Sequence, residues 1–112
     1  MTHPRQKERA LNELVGVFDS QLFRALAEPV RIEILKTLLL RGRMDIQSIA
    51  KEINKDRSVL SRHMHLLAGV GLLSTEKVSR NVYFEINAEV FVGKIRALFN
   101  QVNKAIETCC GN

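Results

Sequence analysis

The sequence predicts a mainly helical fold with a small β part (α+β), in one domain spanning 1–112: four helices, a two-stranded hairpin and a terminal helix. Three observations carry this. Apolar residues recur with the 3.6-residue helical period to about residue 68 and again over 88–108. Between these stretches, from Leu72, the period drops to two, as in a half-buried strand. Single Gly and Pro residues punctuate the segments, and no repeat, low-complexity stretch or internal linker divides the chain.

Residues 5 to about 26 read as one helix, with Leu11, Leu14, Val15, Phe18 and Leu22 along one stripe. Pro29 suits the first turn of a second helix, where its missing N–H costs nothing. That helix runs to about Arg41, turns Ile32, Leu35, Leu38 and Leu39 inward, and ends at Gly42. A short third helix covers about 45–54, with Asp45 as its N-cap and Ile46, Ile49, Ala50 and Ile53 facing inward. After a turn at Asn54-Lys55, Asp56 caps a fourth helix that reaches about Ala68 and is closed by Gly69 and Gly71. Leu72 to Val78 then pairs, across a turn at Ser79-Arg80-Asn81, with a strand in which Val82, Phe84 and Ile86 alternate with Tyr83, Glu85 and Asn87. The terminal helix, about 88–108, aligns Phe91, Ile95, Leu98, Phe99, Val102 and Ile106 on one side.

Composition narrows the classes. Hydrophobic residues make up 46% of the 112, enough for a core, although a lone chain of this size is marginal and a dimer interface would add stability. Seventeen Lys and Arg against twelve Asp and Glu leave a net charge of +5, which a dimer doubles, favouring a polyanion through counterion release. No uninterrupted apolar run exceeds Leu38-Leu39-Leu40, far short of the roughly 20 residues that span a bilayer. The polar segment 1–10 lacks the apolar stretch of a secretory signal, so a cytoplasmic protein with no membrane partner is expected. Cys109 and Cys110 are adjacent, and neighbours rarely bond to each other, so they read as reduced thiols rather than a disulfide framework. The sequence holds no Ser/His/Asp order at plausible spacing, no phosphate-cradling Gly loop and no carboxylate pair on one helix face. The thiols have no adjacent base, so no enzyme is expected.

Two short helices joined by a tight turn, the second rich in small polar and basic residues, form a helix-turn-helix, here over 45–68. At 100° per residue the second helix gathers Leu60, His63, Met64 and Leu67 on one side, and Arg57, Ser58, Ser61, Arg62 and His65 on the other. The first set is core; the second is a polar strip suited to a major groove, where Arg forks onto guanine and Ser reaches base edges or phosphates. Any solvated amphipathic helix shows such a division, and the hairpin over 72–87 tells the two apart. Its tip carries Arg80 and Asn81 with Lys77 close by, as a wing touching phosphate backbone or minor groove requires. A winged helix-turn-helix that binds double-stranded DNA is the expectation; a winged helix used only for protein contact is the alternative from another class.

Four blocks carry a resemblance to a known family: Leu22-Phe-Arg-Ala-Leu-Ala-Glu-Pro-Val-Arg-Ile-Glu-Ile-Leu35, Ser58-Val-Leu-Ser-Arg-His-Met-His-Leu-Leu67, Gly71-Leu-Leu73 and Arg80-Asn-Val-Tyr-Phe84. Together, over roughly residues 20–90, they resemble the ArsR/SmtB transcriptional repressors. The resemblance implies a homodimer joined through the first and last helices (5–26 and 88–108). Its two recognition helices would enter successive major grooves of an imperfect inverted-repeat operator, and an effector would release it. It also implies DNA contacts at Ser58, Ser61, Arg62 and His65, with Arg80 at the wing, and more variable recognition positions at Arg57 and Val59. His63 matches the family's Ser-Arg-His triplet, and its core-side angle points to a structural or relay role.

The family's metal sites are another matter. The Cys-x-Cys of its thiolate sensors falls on Asp45 and Gln47, a hard carboxylate and an amide, which make no soft arsenite or cadmium site. The zinc-sensing version places its His and acidic ligands on the last helix, and 88–108 contains no His. What remains is Cys109-Cys110, a pair that could bind arsenite or a soft thiophilic metal or be oxidised, set against the reading of two thiols on a frayed C-terminus. His3, His63 and His65 offer no ligand spacing to that pair, and Met44 and Met64 read as core filler. A regulator that senses no ligand stays open.

Overall fold

A computed structural model of the chain describes residues 4–18 and 20–110. In chain order the elements are α1 (Pro4–Phe18), α2 (Gln21–Leu26), α3 (Pro29–Arg41), β1 (Met44–Asp45), α4 (Ile46–Ile53), α5 (Arg57–Val70), β2 (Leu73–Val78), β3 (Asn81–Ile86) and α6 (Ala88–Cys110). His3 and the side chain of Phe18 lie outside the described part.

The predicted helix over 5–26 is two helices. Ser20 has extended backbone, and its Oγ accepts from the Phe23 N–H at 3.4 Å. A serine that takes an N–H in this way starts a helix rather than continuing one, so the apolar stripe crosses a boundary to which periodicity is blind. The predicted hairpin also gains a partner. The strand β1 is too short to leave a period, and it pairs Met44 with Phe84 and Asp45 with Tyr83, so the antiparallel sheet runs β1-β3-β2.

One core joins α2 to α5 and the sheet, with Ile34, Ile49, Leu60, Met64, Leu67, Leu72 and Phe84 fully buried. On α3 the predicted inward face is partly wrong. Ile34, Leu35 and Leu38 are buried, whereas Ile32 and Leu39 are 45% and 68% exposed. At 100° per residue Ile34 and Leu38 lie 40° apart, and Ile32 and Leu39 fall on the far flank. Apolar residues at 30, 32, 34, 35, 38, 39 and 40 surround the helix, so spacing could not choose the face.

The end of α5 also differs from expectation. Gly69 lies inside the helix, and Gly71 alone closes it, at φ +95 with its N–H on the Leu67 and Ala68 carbonyls. Its positive φ strains any side chain, and a Cβ there would stand 3.1 Å from Val90 Cγ1, a close contact. That close approach lays the start of α6 against the end of α5. Asn87 then caps α6, its Oδ1 accepting from the Val90 N–H at 3.2 Å.

The helices α1 and α6 pack side by side and antiparallel. Ala10 and Ala105 are buried between them, Glu13 lies 3.7 Å from Lys104, and Cys109 Sγ lies 3.8 Å from the Lys7 carbonyl. This arm stretches the molecule to 60 × 23 × 20 Å, with a radius of gyration of 17.8 Å. A compact chain of this length would measure about 13 Å.

Candidate nucleic-acid interface

The helix pair α4–α5 is set by two local devices. Asp45 caps α4 as predicted, its Oδ1 accepting from the Ser48 N–H at 2.9 Å. Ser48, through its hydroxyl first and its backbone N–H second, holds the Asp45 carboxyl below the usual carboxylate range. The turn to α5 passes through Asn54 at φ +60, a left-handed conformation that Asn adopts more readily than most residues. Asp56 stands at the N-cap position of α5 as predicted, although its side chain makes no capping hydrogen bond.

The structure places α5 with Leu60, Met64 and Leu67 fully buried. On the other side Ser58, Arg62 and His65 are exposed and Ser61 is half-buried, so these four of the predicted strip share one face; Arg57, also exposed, is the first residue of the helix and lies 20° from Met64 at 100° per residue. The His65 ring lies 5.9 Å from that of Phe84, tilted by 41°, which ties this strip to β3.

The wing turns on two residues, Ser79 and Arg80, between the paired Val78 and Asn81, with Ser79 at φ +59. Lys77, Arg80 and Asn81 are all exposed there. Its base has a brace that the sequence reading missed. Arg43 donates from Nη1 to Glu76 Oε2 at 2.7 Å, and its guanidinium lies 4.7 Å from the centroid of the Tyr83 ring. Glu76 and Tyr83 are cross-strand partners, and Asp45 pairs with Tyr83 through β1, so strand register alone delivers this cluster.

His63 is half-buried on the flank of α5, and its Nδ1 lies 3.2 Å from Arg31 Nη1. This contact too left no local signal in the sequence.

Cys109 and Cys110 fall in the last turn of α6, which continues past the predicted end near 108; the first is half-buried and the second exposed. They sit in the last helical turn among the described residues. Met64 is buried and Met44 packs against the core. Among the described residues no three His, Cys, Asp or Glu side chains are grouped to hold a metal ion, and no helix is long and apolar enough to cross a membrane.

Comparison with known proteins bears on this arrangement. Residues 28–75 match the model of the family described as bacterial regulatory protein, arsR family. The chain is 28% identical over 85 residues to the transcriptional repressor SdpR of Bacillus subtilis (strain 168), covering 76% of this chain and 93% of that protein. It is likewise 28% identical over 99 residues to the arsenical resistance operon repressor of the same organism, covering 88% and 85%. A crystal structure of an ArsR family transcriptional regulator superposes with a TM-score of 0.63 at 27% identity, over 96% of this chain and 98% of that one.

Proposed function

We propose that the chain is a winged-helix transcriptional regulator of the ArsR family, a cytoplasmic homodimeric repressor that grips an imperfect inverted-repeat operator and is released by an effector. The observation that carries this is the polar strip Arg57, Ser58, Ser61, Arg62 and His65 on a helix whose Leu60, Met64 and Leu67 are buried in the core. In this reading Arg57 and Arg62 supply forked donors to guanine, the serines reach base edges or phosphates, and Arg80 touches the backbone or the minor groove.

The arm supports the dimer. Val92, Ile95, Phe99 and Ile106 share one face of α6 and are exposed, as are Leu11 and Val15 on α1. A contiguous apolar surface of this kind marks a contact site. A two-fold pair joined there presents its recognition helices to grooves about 34 Å apart.

The thiols are the effector site of this proposal. Cys109 lies against α1, so arsenite, a soft metal or oxidation acting at Cys109 and Cys110 would alter α1–α6 packing at the end of the arm. The arsenical resistance operon repressor among the relatives supports that chemistry. Asp45, where the resemblance would put a thiolate, is already committed to capping α4.

The test is a gel shift on the protein's own promoter, with and without arsenite and oxidant. Sequence-specific, salt-dependent binding is expected, with release on arsenite or oxidant that Cys109→Ser/Cys110→Ser abolishes. Release unchanged by that double substitution removes the thiol reading, and absent salt-dependent binding removes the DNA reading in favour of a protein-interaction module.

A further inference from the structure

Arg31 stands in the first turn of α3, and its guanidinium is shared among three elements. Nε donates to the Ala25 carbonyl and Nη2 to the Arg24 carbonyl, each at 2.8 Å. Both carbonyls lie in the last turn of α2, where that of Arg24 also accepts from the N–H of the C-cap residue, Ala27, at 3.4 Å. The remaining nitrogen, Nη1, lies 3.2 Å from Nδ1 of His63 on α5. Arginine has no acceptor atom, so a hydrogen bond here draws on the Nδ1 lone pair, the tautomer with the ring proton on Nε2. On α5, His63 sits between Arg62, exposed on the strip, and Met64, fully buried. The clasp thus grips the helix on its flank, between the core row and the DNA-facing row.

We propose that Arg31 is a positioning residue for operator recognition: by joining the end of α2 to His63 it fixes the roll of α5, and so the register of the strip on base edges. This rests on the DNA-binding reading above. The buried row of Leu60, Met64 and Leu67 holds α5 down, but apolar burial is non-directional and restrains rotation about the helix axis only softly. A planar fork anchored on two carbonyls adds the missing direction. Rolling α5 displaces every base-reading side chain at once. Phosphate contacts, made by long side chains and by the wing, tolerate such a displacement. Because α2 follows α1 in the chain, the same clasp links the arm to the recognition helix.

The experiment uses the full chain and two duplexes of equal length, one selected by the protein itself from a random library, the other of random sequence. His63→Leu is expected to lose about tenfold on the selected duplex while random-duplex affinity and its salt dependence stay within about twofold. His63→Asn, whose Oδ1 stands near the place of Nδ1, recovers to within about threefold of the parent. Arg31→Lys keeps the charge but lacks the fork, so it repeats the selective loss, and the double variant adds little to either single one. Should His63→Leu not fold, Arg31→Lys against the parent makes the same comparison. Nitrogen-15 shifts of the His63 ring in the free protein provide a readout that needs no DNA, with the proton expected on Nε2. A proton on Nδ1, no loss, an equal loss on both duplexes, or an Asn variant as weak as the Leu variant each overturns the proposal. If selection returns no sequence, the DNA-binding reading fails and takes the proposal with it. If selection succeeds and the variants behave like the parent, the clasp alone fails.

Discussion

The helices α5 and α6 are both amphipathic, yet they stand at opposite degrees of completion. The 14-residue α5 buries Leu60, Met64 and Leu67 entirely and leaves a polar face outside. The 23-residue α6 buries Ala105 alone and leaves Phe99 and Ile106 64% and 53% exposed. One helix is finished by its own chain; the other carries an apolar face that the described residues leave uncovered. The lesson is that equal periodicity does not mean equal burial. Which stripe is core and which is contact surface follows from what the topology lays against it.

The largest effect should come from truncation in the body. Met64→Ala is expected to cost about 2–5 kcal/mol in urea unfolding, independent of protein concentration, because the cavity forms within one chain. Phe99→Ala should leave the dissociated chain within about 0.5 kcal/mol and destabilise only at concentrations where subunits pair. Equal losses at every concentration would show that the arm is closed on its own body, and the contrast would collapse.

Next comes Phe99→Glu. A carboxylate in the centre of an apolar contact should weaken self-association by about a hundredfold or more, read by sedimentation velocity, with the far-ultraviolet spectrum unchanged. A variant that sediments as the parent does would place the subunit contact elsewhere.

The side proposed to face DNA divides further. Arg62→Ala should lose about 1–3 kcal/mol on the selected duplex and relax its sequence preference. Arg80→Ala should weaken all duplexes alike and lower the log–log salt slope by about one. Anisotropy titrations across several salt concentrations separate the two, and interchangeable behaviour would undo the division between helix and wing.

Legibility in the sequence followed the same line. The core row of α5 could be read from spacing because Leu60, Met64 and Leu67 fall within 60° of one another at 100° per residue, with Ser58, Ser61, Arg62 and His65 away from them. On α3 apolar residues surround the axis, and the wrong flank, Ile32 and Leu39, was put inside. The break at Ser20 and the two residues of β1 were invisible, one a single hydrogen bond and the other shorter than any period. The Arg31–His63 and Arg43–Glu76 pairs join residues 32 and 33 apart in the chain, and nothing local announces them. Of the candidate site, the exposed polar residues of α5 were legible, while the Arg31 and Arg43 contacts beside them were not.

The smallest effects lie in polar contacts, and they keep the contrast between body and arm. The Glu13–Lys104 pair is exposed at 3.7 Å, so Glu13→Ala should change stability by less than about 0.5 kcal/mol. Asp45→Ala should cost about 1 kcal/mol, since it removes the acceptor for an N–H at the start of α4. That second loss has a pH signature. The folded protein holds the Asp45 carboxyl below its ordinary value of 3.8, so the stabilisation is complete above that value and fades as pH falls through the lower, folded one. Urea unfolding should therefore show the gap between the parent and Asp45→Ala narrowing only in acid. Asp45→Asn keeps an acceptor without the charge, so its own stability should not carry this titration. A gap that stayed constant through the acid range would mean that the neutral carboxyl caps α4 as well as the carboxylate does, with the charge adding nothing.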